Sequence, residues 1–275
     1  MRALFALLGA LALAGCQSAL FADGRGASEK LAAETGFARQ TLRAGAFELL
    51  SYARLQPGAD ELTVYLESDG RAWINRTTRS SDPTPTEPLV LRLAANDRSA
   101  SVAYLARPCQ FLEPEPLRRC ADRYWTSARF AEEVVASADA AISALKARAR
   151  AQKIRLVGYS GGGTLAMLVA ARRADVADIV TVVAPLDHAA WTQALEVSPL
   201  AGSLNPTAYL APLSRIRQRH FVGGRDTVVP PALAQNFVRR LGPGADARVL
   251  PIDGYSHTCC WDEDWPRRLA AAKAP

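Results

Sequence analysis

The sequence predicts an α/β protein with a mostly parallel central sheet and helices on both of its faces. Short apolar segments rich in β-branched residues alternate with longer segments in which apolar residues recur every three or four positions, as in βαβ units. Two stretches, Val64-Tyr65-Leu66 and 180–184, are nearly continuous in apolar residues instead of alternating, as expected of parallel strands that are covered on both faces. A chain of 275 residues, 49% of them hydrophobic, can bury one full core, so we expect a single domain.

The predicted strands and helices alternate from residue 61 to the C-terminus. Two segments interrupt them. Segment 77–88 is polar and broken by prolines, and we predict a surface loop there. Segment 197–213 contains three prolines, and we predict a small lid or extended loop over a site. The predicted strands are 61–66, 100–105, 153–159, 178–184, 220–223 and 247–252, and the predicted helices are 87–95, 127–149, 162–173, 231–241 and 264–272.

The N-terminus has the pattern of a secretory signal. A basic start, Met1-Arg2, precedes an apolar segment over 3–14 that is too short to span a bilayer in the mature protein. The segment ends in Leu-Ala-Gly-Cys at Cys16, which resembles the bacterial lipobox. That resemblance implies cleavage before the cysteine and its acylation, for example with palmitate, whereas the alternative is an ordinary secretory signal. By the sorting of similar lipoproteins in Gram-negative bacteria, Gln17 in place of an aspartate implies the outer membrane and a domain that faces the periplasm.

The N-terminal pattern predicts three parts of the chain: a signal peptide over 1–15, a lipidated tether over 16–40 and one folded domain over 41–275. The tether prediction depends on the abundance of Ala, Gly, Ser and charged residues. The net charge of +6 comes from scattered arginine pairs without a basic run, so we expect a solvated basic surface and no nucleic-acid partner. The expected partner is a membrane, reached through Cys16, and the expected oligomeric state is a monomer.

The motif Gly158-Tyr159-Ser160-Gly161-Gly162 stands between a predicted strand and a predicted helix. At such a tight turn a serine takes a strained backbone conformation, and the flanking glycines avoid clashes with the strand and helix. The turn lifts the hydroxyl above the sheet. The helix N-terminus places backbone N–H groups beside any developing oxyanion.

A serine nucleophile needs a base, and the chain has three histidines. His257 lies in a turn-rich loop after the last predicted strand and is the best candidate, whereas His220 begins a strand and His188 follows one. Asp226 lies in the turn after the penultimate strand and can orient the histidine, although a capping role is the alternative. A second candidate for the acid is Asp187.

The motifs GYSGG, GGRDTVVP and GYSH, in this order, resemble those of the α/β-hydrolase superfamily from about residue 46 to the C-terminus. The resemblance implies that 41–275 is a catalytic domain and that no metal or organic cofactor is needed. It implies acyl transfer, with Ser160 as nucleophile, His257 as base and Asp226 as the residue that fixes the imidazole tautomer.

The resemblance also implies an oxyanion hole formed by the backbone N–H of Gly161 and one from the loop after strand 61–66. This sequence has Glu67-Ser68 where the family commonly has His-Gly, so the second donor is open. We favour Asp69, with Ser68 and Gly70 as alternatives. Three aromatic residues are candidates for an apolar acyl pocket: Tyr159, Trp73 and Trp191.

The five cysteines fit an oxidising compartment. Once Cys16 carries lipid, four remain. Cys109 and Cys120 flank a short segment, so we predict a disulfide between them. Cys259 and Cys260 are adjacent and can form a vicinal disulfide, pair separately with the other two, or stay reduced.

Together these patterns predict a carboxylesterase- or lipase-like serine hydrolase that cleaves a small-molecule ester or thioester. The alternatives are a serine peptidase or amidase with the same triad, and a non-catalytic binding lipoprotein. The complete triad argues against a binding role, because a binding protein has no need of all three groups.

Overall fold

An eight-stranded sheet forms the centre of the protein in the computed structural model, which describes residues 24–273. Strand β2 is antiparallel to both of its neighbours, and all the other pairs are parallel. In chain order the strands are β1 (Ala38–Ala44), β2 (Phe47–Arg54), β3 (Glu61–Leu66), β4 (Ser101–Leu105), β5 (Lys153–Tyr159), β6 (Val176–Val182), β7 (Arg217–Gly223) and β8 (Ala247–Ile252), and across the sheet their order is β1-β2-β4-β3-β5-β6-β7-β8.

Helices cover both faces of this sheet. Successive side chains of a strand point to opposite faces, so Leu156 of β5 packs into one apolar cluster and Val157 into the other. The helices are α1 (Gly24–Glu34), α2 (Leu89–Ala95), α3 (Pro114–Arg118), α4 (Glu132–Ala149), α5 (Gly161–Ala170), α6 (His188–Ala194), α7 (Leu210–Leu213), α8 (Pro231–Leu241) and α9 (Trp265–Lys273). Buried residues of α4, α5 and α8 line the first cluster, and those of α2 and α9 line the second.

The fold class predicted from the sequence is confirmed. Strands β3, β5 and β8 and helix α8 have the predicted bounds. The two antiparallel strands β1 and β2 were not predicted, and neither was α1.

The predicted tether over 16–40 is wrong for its second half. Residues 24–40 contain α1 and the first residues of β1, and Phe37 between them is buried in the core. The folded part of the chain therefore starts at or before Gly24. The predicted signal peptide and Cys16 lie outside the described residues. Within 24–273 no helix is both long enough and apolar enough to cross a membrane.

The segment 197–213 is hydrogen-bonded to the residues just before α4, and none of its residues lines the cavity above Ser160. The Ser203 hydroxyl donates to the carbonyl of Ser127 and accepts from the N–H of Phe130, and the Leu204 N–H donates to the carbonyl of Phe130. These bonds fix the segment to the body of the protein, so the predicted lid is wrong.

Both cysteine pairs are disulfides. Cys109 is joined to Cys120, as predicted, and Cys259 is joined to Cys260, which was one of three alternatives. Cys109 is buried in a small apolar cluster with Ala72 and Trp125. The first disulfide therefore closes a loop within the connection between β4 and α4, and it lies beside Ala72 of the loop after β3.

Candidate active site

The turn from β5 to α5 places Ser160 at the carboxyl end of the sheet. Ser160 has φ 51° and ψ −124°, a left-handed backbone conformation that costs a non-glycine residue about 1–3 kcal/mol. A side chain at Gly158 would overlap the backbone of Gly162 and Gly163, so the strand and helix approach too closely for any other residue there. The strained turn predicted from the motif is therefore present.

Three side chains from three strand ends form one hydrogen-bonded chain. The Ser160 hydroxyl lies 3.1 Å from Nε2 of His257, and Nδ1 of His257 lies 2.9 Å from Oδ2 of Asp226. Oδ1 of Asp226 accepts the backbone N–H groups of Val228 and Val229, each at 2.8 Å. The Asp226 side chain has no exposed surface, whereas 15% of the His257 side chain is exposed. The three residues that the sequence singled out are thus brought together, with a proton path from serine to imidazole.

The loop that carries His257 is fixed by hydrogen bonds to the His257 carbonyl. The His257 carbonyl accepts the phenol O–H of Tyr159 at 2.7 Å and the indole N–H of Trp261 at 3.2 Å. The Tyr159 ring also lies against the imidazole, with 5.7 Å between ring centroids. Burial, with the nearby Glu67 and Asp226, raises the pKa of Tyr159, so it remains a donor.

The other candidate groups are engaged elsewhere. Asp187 caps α6 and bonds to the amide of Asn205 at 2.8 Å and to Arg240 at 3.0 Å. His188 bonds to the Leu204 carbonyl, and burial lowers its pKa. His220 is buried in β7, as predicted, where burial and then Arg219 lower its pKa to about 3.

The loop after β3 lies against the serine turn. The Asp69 carboxylate covers Gly161 closely enough that a side chain at Gly161 would overlap it. Within residues 24–273 the backbone N–H groups of Asp69 and Gly161 donate to no protein acceptor, so neither donor is engaged elsewhere.

Two arginines that the sequence reasoning missed hold this loop. Arg107 and Arg129 are 3% and 6% exposed, and each binds one Asp69 oxygen, at 3.1 Å and 2.6 Å. Burial would raise the pKa of Asp69, but the two guanidinium groups outweigh it and lower the pKa, so Asp69 is ionised. Arginines are common on surfaces, so no sequence signal distinguished these two.

Glu67 is a second carboxylate at the site, and the sequence analysis assigned no role to its charge. It accepts the N–H and O–H of Ser68, at 2.7 and 2.8 Å, and the phenol O–H of Tyr104 at 2.9 Å. Burial raises its pKa although these bonds oppose the change. The feature of the sequence that could have pointed to Glu67 is its position directly after a buried strand.

A cavity of about 440 Å³ opens above Ser160. Trp73 and Tyr159, two of the three aromatic candidates for an acyl pocket, line it. Trp191 does not, because its indole N–H donates to the Val228 carbonyl and its ring packs on the core. Most of the wall comes from the loop after β3 and from the segment that was predicted to be only a surface loop. The lining residues are Glu67, Ser68, Asp69, Gly70, Arg71, Trp73, Pro85, Thr86, Glu87, Leu89, Arg92, Tyr159, Ser160, His257 and Thr258.

Comparisons with known proteins bear on the family and the fold. The model of the dienelactone hydrolase family matches residues 106–200. No functionally curated protein matches the sequence. The structure is similar to that of puromycin hydrolase, with a TM-score of 0.56 and 21% identity over 86% of this chain, which spans 38% of the length of that enzyme.

Two further similar structures are close to this chain in length. Est1E from Butyrivibrio proteoclasticus has a TM-score of 0.60 at 12% identity, over 86% of this chain and 96% of its own. The Pyrococcus furiosus esterase Pf2001 has a TM-score of 0.61 at 14% identity, over 87% of this chain and 91% of its own. Identities this low show a common architecture and not a common substrate, and by that architecture the chain is an α/β-hydrolase in its fold.

Proposed function

We propose that the protein is a serine hydrolase that cleaves carboxylic esters or thioesters through an acyl-enzyme on Ser160. The observation that carries the proposal is the hydrogen-bonded chain from Asp226 through His257 to the Ser160 hydroxyl, at the floor of an open cavity. A lone serine at a helix start has many explanations. A serine whose proton points at an imidazole that a buried carboxylate orients has the arrangement of an activated nucleophile.

The mechanism follows from the positions of these atoms. Oγ of Ser160 attacks the acyl carbonyl carbon while Nε2 of His257 takes its proton, and Asp226 stabilises the imidazolium that forms. The backbone N–H groups of Gly161 and Asp69 stabilise the tetrahedral oxyanion. His257 then protonates the leaving alcohol or thiol. Water attacks the acyl-enzyme with His257 again as base, which releases the acid and restores Ser160.

A serine reactivity probe tests the nucleophile. We expect a fluorophosphonate to label the wild-type protein and the control Ser81→Ala, which removes an exposed hydroxyl outside the cavity, but not Ser160→Ala. Mass spectrometry of the labelled peptide locates the adduct. Folded wild-type protein that takes up no probe would contradict the proposal and favour a binding role.

A second candidate is an amidase or peptidase with the same triad, and the likeness to puromycin hydrolase is the observation that favours it. We expect kcat/KM for a graded series of acyl esters to exceed that for matched anilides and short peptides. Hydrolysis of the amides at a rate equal to or above that of the esters would assign the second function.

We also propose that Cys16 carries a lipid anchor that holds the domain at the periplasmic face of the outer membrane. The lipobox-like segment before Cys16 supports this. Intact mass measurement of protein from the bacterial membrane fraction should show an N-terminal acylated cysteine. A mass that corresponds to the unmodified full chain, or to cleavage at another site, would contradict it.

A further inference from the structure

Residues 71–80, which we term the arginine hairpin, project from the protein beside the Ser160 cavity. A β-bridge pairs Trp73 with Arg79, and the Ile74 N–H donates to the Thr78 carbonyl at 2.8 Å. The Asn75 side chain accepts the N–H groups of Thr77 and Thr78, at 3.0 and 2.8 Å, which closes the turn. Residues 73–79 are all exposed although the backbone is ordered by these bonds.

The base of the arginine hairpin is fixed to the body of the protein. The Ser80 N–H donates to the Ala72 carbonyl at 3.0 Å, and the indole N–H of Trp125 donates to the Ser80 carbonyl at 3.1 Å. Ala72 is buried beside Trp125 and Cys109, next to the disulfide to Cys120. The exposed tip is therefore held in one direction and is not a loop that folds back onto the protein.

The tip combines apolar and positively charged side chains. Trp73 is 44% exposed and Ile74 is 54% exposed, the highest values among the large hydrophobic residues that the structure describes. Arg71 and Arg76 are exposed and make no ion pair within residues 24–273, and Arg79 pairs with Asp122. Segment 71–80 contains no acidic residue.

We propose that the arginine hairpin docks on an anionic phospholipid bilayer. Tryptophan and an aliphatic residue enter the interface between headgroups and acyl chains, and unpaired arginines bind the lipid phosphates. A second copy of this chain is a poor partner, because it would bring an identical positive hairpin to the contact. The charges of the tip thus favour a negative lipid surface.

Docking through the arginine hairpin also determines which way the Ser160 cavity faces. Arg71 and Trp73 line the Ser160 cavity as well as belonging to the hairpin. A protein docked through Ile74 and Arg76 therefore holds the cavity mouth against the bilayer. Docking itself needs none of the groups of the proposed hydrolytic reaction, so it can be tested separately from that reaction.

A fluorescent label at the tip reports docking directly. In full-length protein with Cys16→Ser, so that no lipid anchor forms, Ile74→Cys carries an environment-sensitive nitrobenzoxadiazole label. Gln56→Cys, at an exposed turn that does not line the cavity, carries the same label as the matched control. We expect vesicles of phosphatidylglycerol, but not of phosphatidylcholine, to shift the emission at position 74 to the blue and to leave position 56 unchanged.

Charge reversal separates docking from general adsorption. Arg76→Glu in the protein labelled at position 74 should raise the phosphatidylglycerol concentration needed for half the shift by about tenfold or more. Native circular dichroism must be retained. An unchanged emission at position 74, equal shifts at positions 74 and 56, or a shift that follows protein concentration without vesicles would each overturn the proposal, the last in favour of self-association.

Discussion

Ser160 combines a strained backbone with a polar side-chain contact in the site. Its backbone is held in the left-handed region while its hydroxyl points to His257. The surrounding packing must therefore maintain a conformation that an isolated serine avoids. Asp226 is fixed just as firmly, since one oxygen accepts two backbone N–H groups and the other accepts the imidazole N–H.

Replacement of the two candidate acids should give opposite results. Asp226→Asn keeps the size of the side chain but removes the charge that fixes the imidazole tautomer, so kcat/KM for a short-chain ester should fall by about 10⁴. Asp187→Asn, which affects a helix cap and the contacts to Asn205 and Arg240, should retain activity within about tenfold of wild type. Equal losses in the two variants would contradict the assignment of the acid.

Strand β5 and helix α5 meet at a contact between backbones. Gly158 lies against Gly162 and Gly163, so the angle between strand and helix depends on the absence of one methyl group. The same contact directs the start of α5 at the cavity. We therefore expect stability and activity to be coupled at this junction between two elements.

A single added methyl group tests that coupling. Gly158→Ala should lower the free energy of unfolding by about 1–3 kcal/mol and reduce activity, because the strand and helix must separate. Gly244→Ala is the matched control, since open space surrounds that position, and it should be neutral or slightly stabilising. Urea unfolding measures both. A Gly158→Ala protein as stable and as active as the control would show that the junction tolerates a side chain.

The elements that could be predicted are those with a strong apolar pattern. Strands β3 and β5 are buried along nearly their whole length, and most of their residues are apolar. Helix α1 gave no such signal, because its buried residues are Gly24, Ser28 and Ala32, three small residues at a spacing of four. They fit closely against the protein without contributing hydrophobicity to the pattern.

Strands β1 and β2 escaped prediction for a different reason. β1 is an edge strand in which three arginine or threonine residues are exposed, so it lacks the apolar run that marks the buried strands. At the site, the sequence predicted the three groups that follow strand ends. It did not predict Arg107 and Arg129, because the contact of these residues with Asp69 joins three segments that only the fold brings together.

At the scale of the whole molecule, buried ionisable groups set the stability as a function of pH. Burial lowers the pKa values of His188 and His220, so the folded protein excludes protons that the unfolded chain binds near pH 6.5. Stability is therefore lost as the pH falls below 6.5. The lowered pKa of Asp175, about 2, acts in the same direction only below about pH 4.

The pH dependence of the free energy of unfolding can be measured. Because the pKa of His220 is about 3, its contribution to the free energy of unfolding should fall by about 1.4 kcal/mol per pH unit between pH 6 and pH 4. His220→Gln should be less stable at pH 7 but should show a shallower slope over the same range. Urea unfolding at half-unit intervals checks it. Parallel slopes for wild type and variant would place the acid sensitivity in other groups.

The start of α1 limits how far the protein can stand from a bilayer. Gly24 packs against the carbonyl of Pro85, a residue of the cavity wall, and Arg25 pairs with Asp82 in the same segment at 2.6 Å. Cys16 is eight residues before Gly24, and a chain of that length reaches at most about 30 Å. A lipid on Cys16 would thus be connected to the folded domain on the side that bears the cavity. This connection would be short enough to keep the cavity within reach of the membrane surface.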